Sequence, residues 1–185
     1  IPTSSQLTLP EVQVLIDMTD PAAILHDGIT ACPATRRVIR TDRMSDWYAL
    51  PAAAYDLGDP DRLAYIIFTS GTSGTPRAVC HAHRAIWARG MMMEGWYGLT
   101  EQDRLMHAGA FNWTYTLGTG LLDPWTRGAT ALIPAQGVEH AQIPLLLKRH
   151  EATIFAAAPG VYRNILKSSA LNLPKLRHGL SAGEK

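Results

Sequence analysis

The chain of 185 residues has a formal net charge of +1, with 46% hydrophobic and 18% charged residues. This is the composition of an ordinary globular domain, and it lacks the basic excess that favours binding to nucleic acid. No apolar run approaches the roughly 18 residues that a membrane-spanning helix needs. Two cysteines, Cys32 and Cys80, are too few for a disulfide framework, so we expect a reducing, cytoplasmic location.

The first third of the chain predicts one helix and two short strands. Leu9-Pro10-Glu11 begins an amphipathic helix, since proline is tolerated in a first helical turn. The apolar positions on one face of this helix are Val12, Leu15, Ile16 and Met18. Strands are predicted at residues 22–25 and 38–39. Residues 41–62 have weak periodicity with frequent Pro, Asp and Gly, which is typical of a surface connection.

From residue 63 onward, strands and helices alternate. Residues 63–68 form an unbroken apolar run that we interpret as a central strand, buried on both faces. Further strands are predicted at 78–81, 104–107, 130–133, 154–157 and 176–181. Helices are predicted at 83–96, 116–125, 143–150 and 161–167, the second interrupted near Pro124. This alternation predicts an α/β fold, with a mostly parallel sheet and helices on both faces in a three-layer αβα arrangement.

The segment "YIIFTSGTSGTPRAV", residues 65–79, joins two of these strands through a loop rich in hydroxyl side chains. Gly71 and Gly74 allow positive φ, so that successive backbone N–H groups can converge on an anion. The hydroxyl donors of the loop are Thr69, Ser70, Thr72, Ser73 and Thr75. Arg77 adds a permanent positive charge, and the loop holds no carboxylate. Because both flanks are apolar strands, we interpret the loop as a cradle for polyphosphate rather than as a flexible linker.

The loop does not fit the G-x-x-x-x-G-K-[ST] pattern of the Walker loop, because no Lys-Ser or Lys-Thr pair follows its glycines. It resembles instead the phosphate-binding loop of the AMP-forming acyl-CoA synthetases, in the superfamily of adenylate-forming ligases. The similarity runs from Phe68 through Pro76, with Ser73 where the family usually has Thr. It departs at Arg77, where the family mostly has Lys, and at Ala78, where it mostly has Gly.

Other segments resemble the same family in the same order. They are "IPTSSQLTLPEV", the acyl-pocket region "FNWTYTLGTGLLDPWTRGAT", "IFAAAPGVYRNIL" with Gly160 where Thr is common, and the adenine turn "LRHGLSAGEK". The resemblance implies that residues 1–185 are an incomplete N-terminal AMP-binding domain without the C-terminal lid domain. It implies a parent ligase of the medium-chain or benzoate type, in the area of fatty acid metabolism.

The resemblance also implies roles for individual residues. ATP phosphates would contact Thr69, Ser70, Gly71, Thr72, Ser73, Gly74, Thr75 and Arg77. Adenine would contact Ser181, Ala182, Gly183 and Glu184. The acyl pocket would contain Phe111, Asn112 and Trp113. The implied substrates are a carboxylic acid, ATP and coenzyme A, with the main Mg²⁺ ligand outside this chain; neither a metal ligand nor a catalytic residue is assigned within it.

The pocket residues indicate the class of acid. A relative that activates amino acids needs an acidic side chain for the substrate ammonium, since an unpaired buried charge is costly. Asn112 and Trp113 are not acidic, and Asp123 lies further along, so we expect an uncharged acyl or aryl group. The alternative that Phe111 and Trp113 are only core residues stays open.

The chain has no initiator methionine and stops where a helix is expected, so we expect a piece of a larger protein that is inactive alone. Two alternatives to the ligase stay open. One is a non-catalytic module that binds a nucleotide or anion. The other is an adenylation domain that loads a carrier protein. The sequence determines neither the acid, nor the thiol acceptor, nor whether a homo-oligomer forms.

Overall fold

The computed structural model describes residues 1–33, 37–70, 75–167 and 172–183. The strands in these ranges are β1 (Ile24–His26), β2 (Val38–Arg40), β3 (Leu63–Ser70), β4 (Pro76–Ala82), β5 (Arg104–His107), β6 (Thr130–Leu132), β7 (Ile154–Ala157) and β8 (His178–Ser181). The α-helices are α1 (Leu9–Thr19), α2 (His83–Tyr97), α3 (Thr114–Leu117), α4 (Asp123–Thr126), α5 (Ile143–Arg149) and α6 (Pro159–Leu166). A π-helix spans Gly118–Leu122, and 3₁₀-helices span Thr41–Trp47 and His140–Gln142.

A parallel sheet with helices on both faces forms the centre of the described structure. Its strand order is β6-β5-β7-β8, and all neighbours are parallel. Successive side chains of a strand point to opposite faces, so the strands contribute side chains to two hydrophobic clusters, one on each face of the sheet. One cluster contains Met93, Tyr97, Leu99, Leu105, Ala129, Ile154, Ala156 and Leu180. The other contains Met106, Ile143, Leu147, Ala152, Phe155, Ala157 and Val161. Since α2 packs on one face and α5 and α6 on the other, the predicted α/β class is confirmed.

The amino ends of three of these strands are held together by one carboxylate. Asp103, just before β5, accepts hydrogen bonds from Arg177 Nη2 at 2.6 Å and from Thr153 Oγ1 at 2.7 Å. The backbone N–H of Thr100 donates to it at 2.8 Å. Burial by itself would raise the pKa of Asp103, but these hydrogen bonds lower the pKa on balance. Thr153 precedes β7 and Arg177 precedes β8, so this carboxylate fixes the relative positions of β5, β7 and β8.

The strand that contains the first half of the glycine-rich motif is not central, contrary to the sequence prediction. Within the described residues, β3 pairs only with β4, and the pairing is antiparallel. Ile66 and Ile67 are buried, but Leu63 is 55% exposed. The antiparallel pairing follows from the length of the connection, because residues 71–75 are too few for the crossover that a parallel pair requires.

The first helix begins as the sequence predicts. The carboxylate of Glu11 accepts hydrogen bonds from the backbone N–H and the hydroxyl of Thr8, both at 2.7 Å. These contacts satisfy free donors at the helix start and lower the pKa of Glu11. Leu15 and Ile16 are buried, whereas Met18 at the predicted apolar face is exposed.

The helical segment after β5 is irregular at a different place from the one that the sequence predicts. It runs from Thr114 to Thr126 without a break at Pro124, and its irregular part is the π-helix Gly118–Leu122. The backbone N–H of Asp123 donates to the carbonyl of Gly118, five residues earlier. Proline has no N–H to donate, and the wider turn before it accommodates that loss within a continuous helix.

Candidate active site

The carboxyl ends of β5, β7 and β8 lie along one edge of the parallel sheet. β6 lies on one side of β5, whereas β7 and β8 follow on its other side. The direction of winding therefore changes between β5 and β7. In open parallel sheets such a change opens a crevice beyond the strand ends, where ligands bind. Residues 108–113 leave this edge after β5, and residues 182–183 leave it after β8.

A cavity of about 570 Å³ opens beside the carboxyl end of β5. Two of the predicted acyl-pocket residues, Phe111 and Asn112, line it together with His107. Other parts of the wall come from Ser4, Gln6, Ile133, Gln136, His140 and Ile143. This volume falls within the range of roughly 300–1,000 Å³ that is typical of small-molecule sites.

Trp113, the third predicted acyl-pocket residue, occupies a different position. Its side chain is 53% exposed, and it is not among the residues that line the cavity. Its ring atom Cζ3 lies 3.9 Å from the position that a Cβ on Gly183 would take. Gly183 has φ +117°, a conformation that residues with a side chain rarely adopt. Trp113 is therefore a neighbour in space of the predicted adenine turn.

The adenine turn is held in place by a tyrosine on α6. Ser181 ends β8 opposite Ala157, and Ala182 and Gly183 follow it. The hydroxyl of Tyr162 lies 2.7 Å from the carbonyl oxygen of Phe155 and 3.0 Å from that of Leu180. Burial raises the pKa of Tyr162 to about 12, so this hydroxyl remains a donor at neutral pH. Glu184, the last predicted adenine contact, lies outside the described residues.

The predicted phosphate loop is described only at its two ends. Gly71, Thr72, Ser73 and Gly74 lie outside the described residues. Thr69 pairs directly with Arg77 across β3 and β4, and Ser70 pairs with Pro76. Residues directly opposite each other in an antiparallel pair project from the same face, so the hydroxyl of Thr69 and the guanidinium of Arg77 share a face. Thr69, Thr75 and Arg77 are exposed.

His107 occupies a narrow space at the end of β5. Its ring is packed edge-to-face against Tyr115, with ring centroids 4.6 Å apart. A Cβ on Gly120 would lie 2.7 Å from the Cβ of His107, and one on Gly109 would lie 3.0 Å from its Cε1. Burial lowers the pKa of His107 to about 4. The imidazole is therefore uncharged at neutral pH.

A buried ion pair holds the helical segment behind this site. Arg89 on α2 donates from Nε and Nη2 to the two carboxylate oxygens of Asp123, each at 2.6 Å. The hydroxyl of Tyr97 donates to the same carboxylate at 2.7 Å, and Arg89 also donates to Thr119 at 3.1 Å. Burial is the largest cause of the raised pKa of Tyr97, followed by the neighbouring Asp123. Asp123 is thus fully engaged by protein groups.

Sequence reasoning missed His107, Arg89 and Tyr162 as parts of this site. For His107 a signal existed, because it is a polar residue at the carboxyl end of an apolar strand that was itself predicted correctly. Arg89 and Tyr162 give no such signal, since their partners lie 34 residues and 18 residues away in sequence.

The described part of the chain gives no indication of a metal site or of a membrane span. Within it, no three His, Cys, Asp or Glu side chains group together as metal ligands would. The ring of His81 is instead packed face to face on the ring of Tyr65, with centroids 4.5 Å apart. None of the described helices combines the length and the apolar character that crossing a bilayer demands.

These features define an α/β domain with a cavity of small-molecule size at the carboxyl edge of a parallel sheet. The chain belongs to the AMP-binding enzyme family, since that family's model matches residues 1–185. It is 32% identical over 129 residues to the 3-hydroxybenzoate–CoA/4-hydroxybenzoate–CoA ligase of Thauera aromatica. That match covers 68% of this chain and 25% of the relative, so it spans about a quarter of that enzyme's length.

Two solved structures share the fold. The N-terminal subdomain of NpsA from Klebsiella oxytoca, in complex with 3-hydroxybenzoyl-AMSN, superposes with a TM-score of 0.85 at 18% identity. That superposition covers 99% of this chain and 46% of the other. A benzoate CoA ligase from Burkholderia xenovorans gives a TM-score of 0.81 at 24% identity, covering 98% of this chain and 40% of the other. The sequence-based assignment to the adenylate-forming ligases is confirmed.

Proposed function

We propose that the complete protein of which this chain is a part is an ATP-dependent acid–thiol ligase. A carboxylate oxygen of the acid attacks the α-phosphorus of ATP, pyrophosphate leaves, and acyl-AMP forms. The thiol sulfur of coenzyme A then attacks the acyl carbon, and AMP leaves. The observation that carries this proposal is the match of the family model to all of residues 1–185. The named functions of the curated relatives, which are acid–CoA ligases, support it.

The first step brings two anions together, so the protein must neutralise phosphate charge and hold an in-line geometry. The proposed groups for this task are the hydroxyl of Thr69 and the guanidinium of Arg77, both exposed. Mg²⁺ would add charge neutralisation at the phosphates, through a ligand outside this chain. The adenine base would lie against residues 181–183, whose backbone path is set by Tyr162.

The residues that line the cavity favour an uncharged acyl or aryl group as its ligand. Among the described residues that line it there is no Asp, Glu, Lys or Arg. Asp123, the nearby carboxylate considered from sequence, is bound by Arg89 and Tyr97, so it is not free to pair with a substrate ammonium. Relatives named as ligases of benzoate and of hydroxybenzoates support an acid of this class.

The test is thioester formation by the complete protein with ATP, Mg²⁺, coenzyme A and a panel of medium-chain and aromatic acids. We expect pyrophosphate release that depends on the acid. Arg77→Ala should lower kcat/KM by about 100-fold, because it removes a donor to the phosphates. Arg84→Ala is the matched control, since that exposed arginine pairs with Asp61 at 2.9 Å and should leave kcat/KM unchanged.

The same assay separates the alternatives. Acyl-AMP formation with transfer to a carrier protein but not to coenzyme A would favour the adenylation domain. Nucleotide binding without pyrophosphate release for any acid would favour the non-catalytic module. Residues 1–185 assayed alone should release no pyrophosphate, because their match covers only a quarter of the relative's length. Turnover by these residues alone would contradict that expectation.

A further inference from the structure

Buried polar atoms without partners are concentrated in the segment that follows β5. Within the described part of the chain, the unpaired atoms of this segment are Asn112 Oδ1, the Tyr115 hydroxyl and Thr116 Oγ1. A buried polar group without a partner costs free energy that contact with water would recover. We call residues 109–117 the wall segment, because Phe111 and Asn112 line the cavity. It is held in place by packing more than by side-chain hydrogen bonds.

Both ends of the wall segment are fixed. At its start, the backbone N–H of Ala108 donates to the carbonyl oxygen of Ala156 on β7 at 3.0 Å. Beyond its end, Arg89 donates to Thr119 at 3.1 Å and to Asp123 at 2.6 Å. Local opening of a protein involves the parts with the fewest stabilising contacts. The residues between these two anchors are therefore the part of this region that can open.

The wall segment rests on the imidazole of His107 at the end of β5. The ring packs edge-to-face on Tyr115 with centroids 4.6 Å apart, and a Cβ on Gly109 would lie 3.0 Å from its Cε1. The residue is 4% exposed, and within the described part of the chain neither ring nitrogen has a hydrogen-bond partner. Because β5 is paired with β6 and β7 on its two sides, the strand is a fixed support and the wall segment is the side that can yield.

No free carboxylate faces this imidazole among the described residues packed around it. On the wall segment the titratable neighbour is Tyr115, a neutral hydroxyl whose pKa is raised by burial. Across the cavity it is His140, and on β7 the partner opposite is the apolar Ala156. Behind the wall segment, Asp123 is already bound by Arg89. An imidazolium at this position would be a buried charge without a counter-ion, which is costly.

We propose that His107 is a pH-sensitive switch: when its imidazole takes up a proton, the wall segment separates from the end of β5 and the wall of the cavity opens. Opening lets water reach both the ring and the unpaired side chains of the wall segment, so that the new charge and those polar groups become hydrated. Histidine is the side chain that ordinarily titrates between pH 5 and pH 8, so modest acidification is sufficient to drive the change.

The direction and the pH range follow from the two states. Burial lowers the pKa of His107 to about 4 in the closed state, against an ordinary value of 6.5. The open state therefore binds the proton more tightly, and acid favours opening. The equilibrium is nearly constant above the ordinary pKa of 6.5 and shifts toward the open state as the pH falls from there toward about 4. Between pH 7 and pH 5 the open population should rise roughly 20-fold.

Hydrogen–deuterium exchange of the complete protein, followed by mass spectrometry of its peptides, measures this opening. Protection factors, which remove the intrinsic pH dependence of exchange, are compared at pH 7 and pH 5. In the wild type the protection of residues 109–117 should fall roughly 20-fold, while that of β7 stays unchanged. His107→Leu, which cannot take up a proton, should show no such fall. His150→Leu, at the exposed end of α5, and His140→Leu, across the cavity, are the matched controls and should keep the wild-type response.

Each outcome decides for or against the switch. Wild-type protection that is independent of pH, or an equal fall in His107→Leu, would overturn it. An equal fall at β7 would also overturn it, because the whole sheet would then be unfolding in acid. Should His107→Leu fail to fold, NMR of the wild-type protein with ¹³C-labelled histidine decides. A His107 signal that titrates about one pH unit or more below 6.5 supports the switch, and a signal that titrates closer to 6.5 refutes it. None of these measurements requires thioester formation, so they test the switch separately from the proposed function.

Discussion

At the scale of single residues, the buried ion pair of Arg89 and Asp123 lies behind the candidate site rather than in it. Asp123 is 1% exposed and receives two hydrogen bonds from Arg89 and one from Tyr97. A buried pair of this kind contributes little net stability when intact, because both charges lose their hydration. Removing one partner is different, since the other charge then stays buried without compensation.

We therefore predict that Asp123→Asn lowers the free energy of unfolding by about 3 kcal/mol, because Arg89 keeps its charge and loses its counter-ion. The measurement is urea denaturation of the complete protein. Asp46→Asn serves as the control, since Asp46 pairs with Arg43 at 3.3 Å on the exposed surface. Such surface pairs contribute about 1 kcal/mol or less. Equal losses in the two variants would contradict the buried role of Asp123.

At the scale of elements, the helical segment after β5 approaches the strand so closely at Gly120 that this position has no space for a side chain. Gly120 lies in the π-helix, and an added Cβ would come within 2.7 Å of the Cβ of His107. Gly95 lies in α2, and an added Cβ there would meet nothing within 4 Å. The same substitution should therefore have opposite effects at these two positions.

Gly120→Ala should destabilise the protein by roughly 1–3 kcal/mol, because β5 or the π-helix must shift to admit the methyl group. Gly95→Ala should stabilise it by up to about 1 kcal/mol, because alanine loses less conformational freedom than glycine in a helix. Denaturation midpoints of both variants provide the test. A stabilising Gly120→Ala would show that the π-helix can move away from His107.

The amino edge of the sheet is predicted to respond to acid through Asp103. Its pKa is lowered in the folded state, relative to a usual value of 3.8. A lowered carboxyl pKa contributes stability that is present above the unfolded value and is lost as the pH falls through the folded value. Asp103→Asn should therefore be less stable than the wild type at pH 7, with the difference shrinking as the pH falls below about 4. Unfolding free energies measured between pH 7 and pH 2 test this, and a difference independent of pH would refute it.

At the scale of the whole molecule, the sequence predicted much of the architecture. The apolar runs that became β5 and β7 were located correctly, since a strand buried on both faces leaves a continuous apolar pattern. The alternation of strands and helices gave the correct class, and the order of several motifs gave the family. The central position predicted for β3 was wrong, since β3 lies in a separate two-stranded sheet among the described residues. The shortness of residues 71–75 determines only that its pairing with β4 is antiparallel.

The sequence by itself determined the class of the fold and the family, because these depend on local pattern and on motifs contiguous in the chain. Only the tertiary structure decided which side chains meet. It placed Phe111 and Asn112 at the cavity and Trp113 beside Gly183, and it left the ring of His107 without a partner among the described residues. The physical reason is that burial and hydrogen bonding are properties of contacts between distant segments, and a local pattern does not contain those contacts.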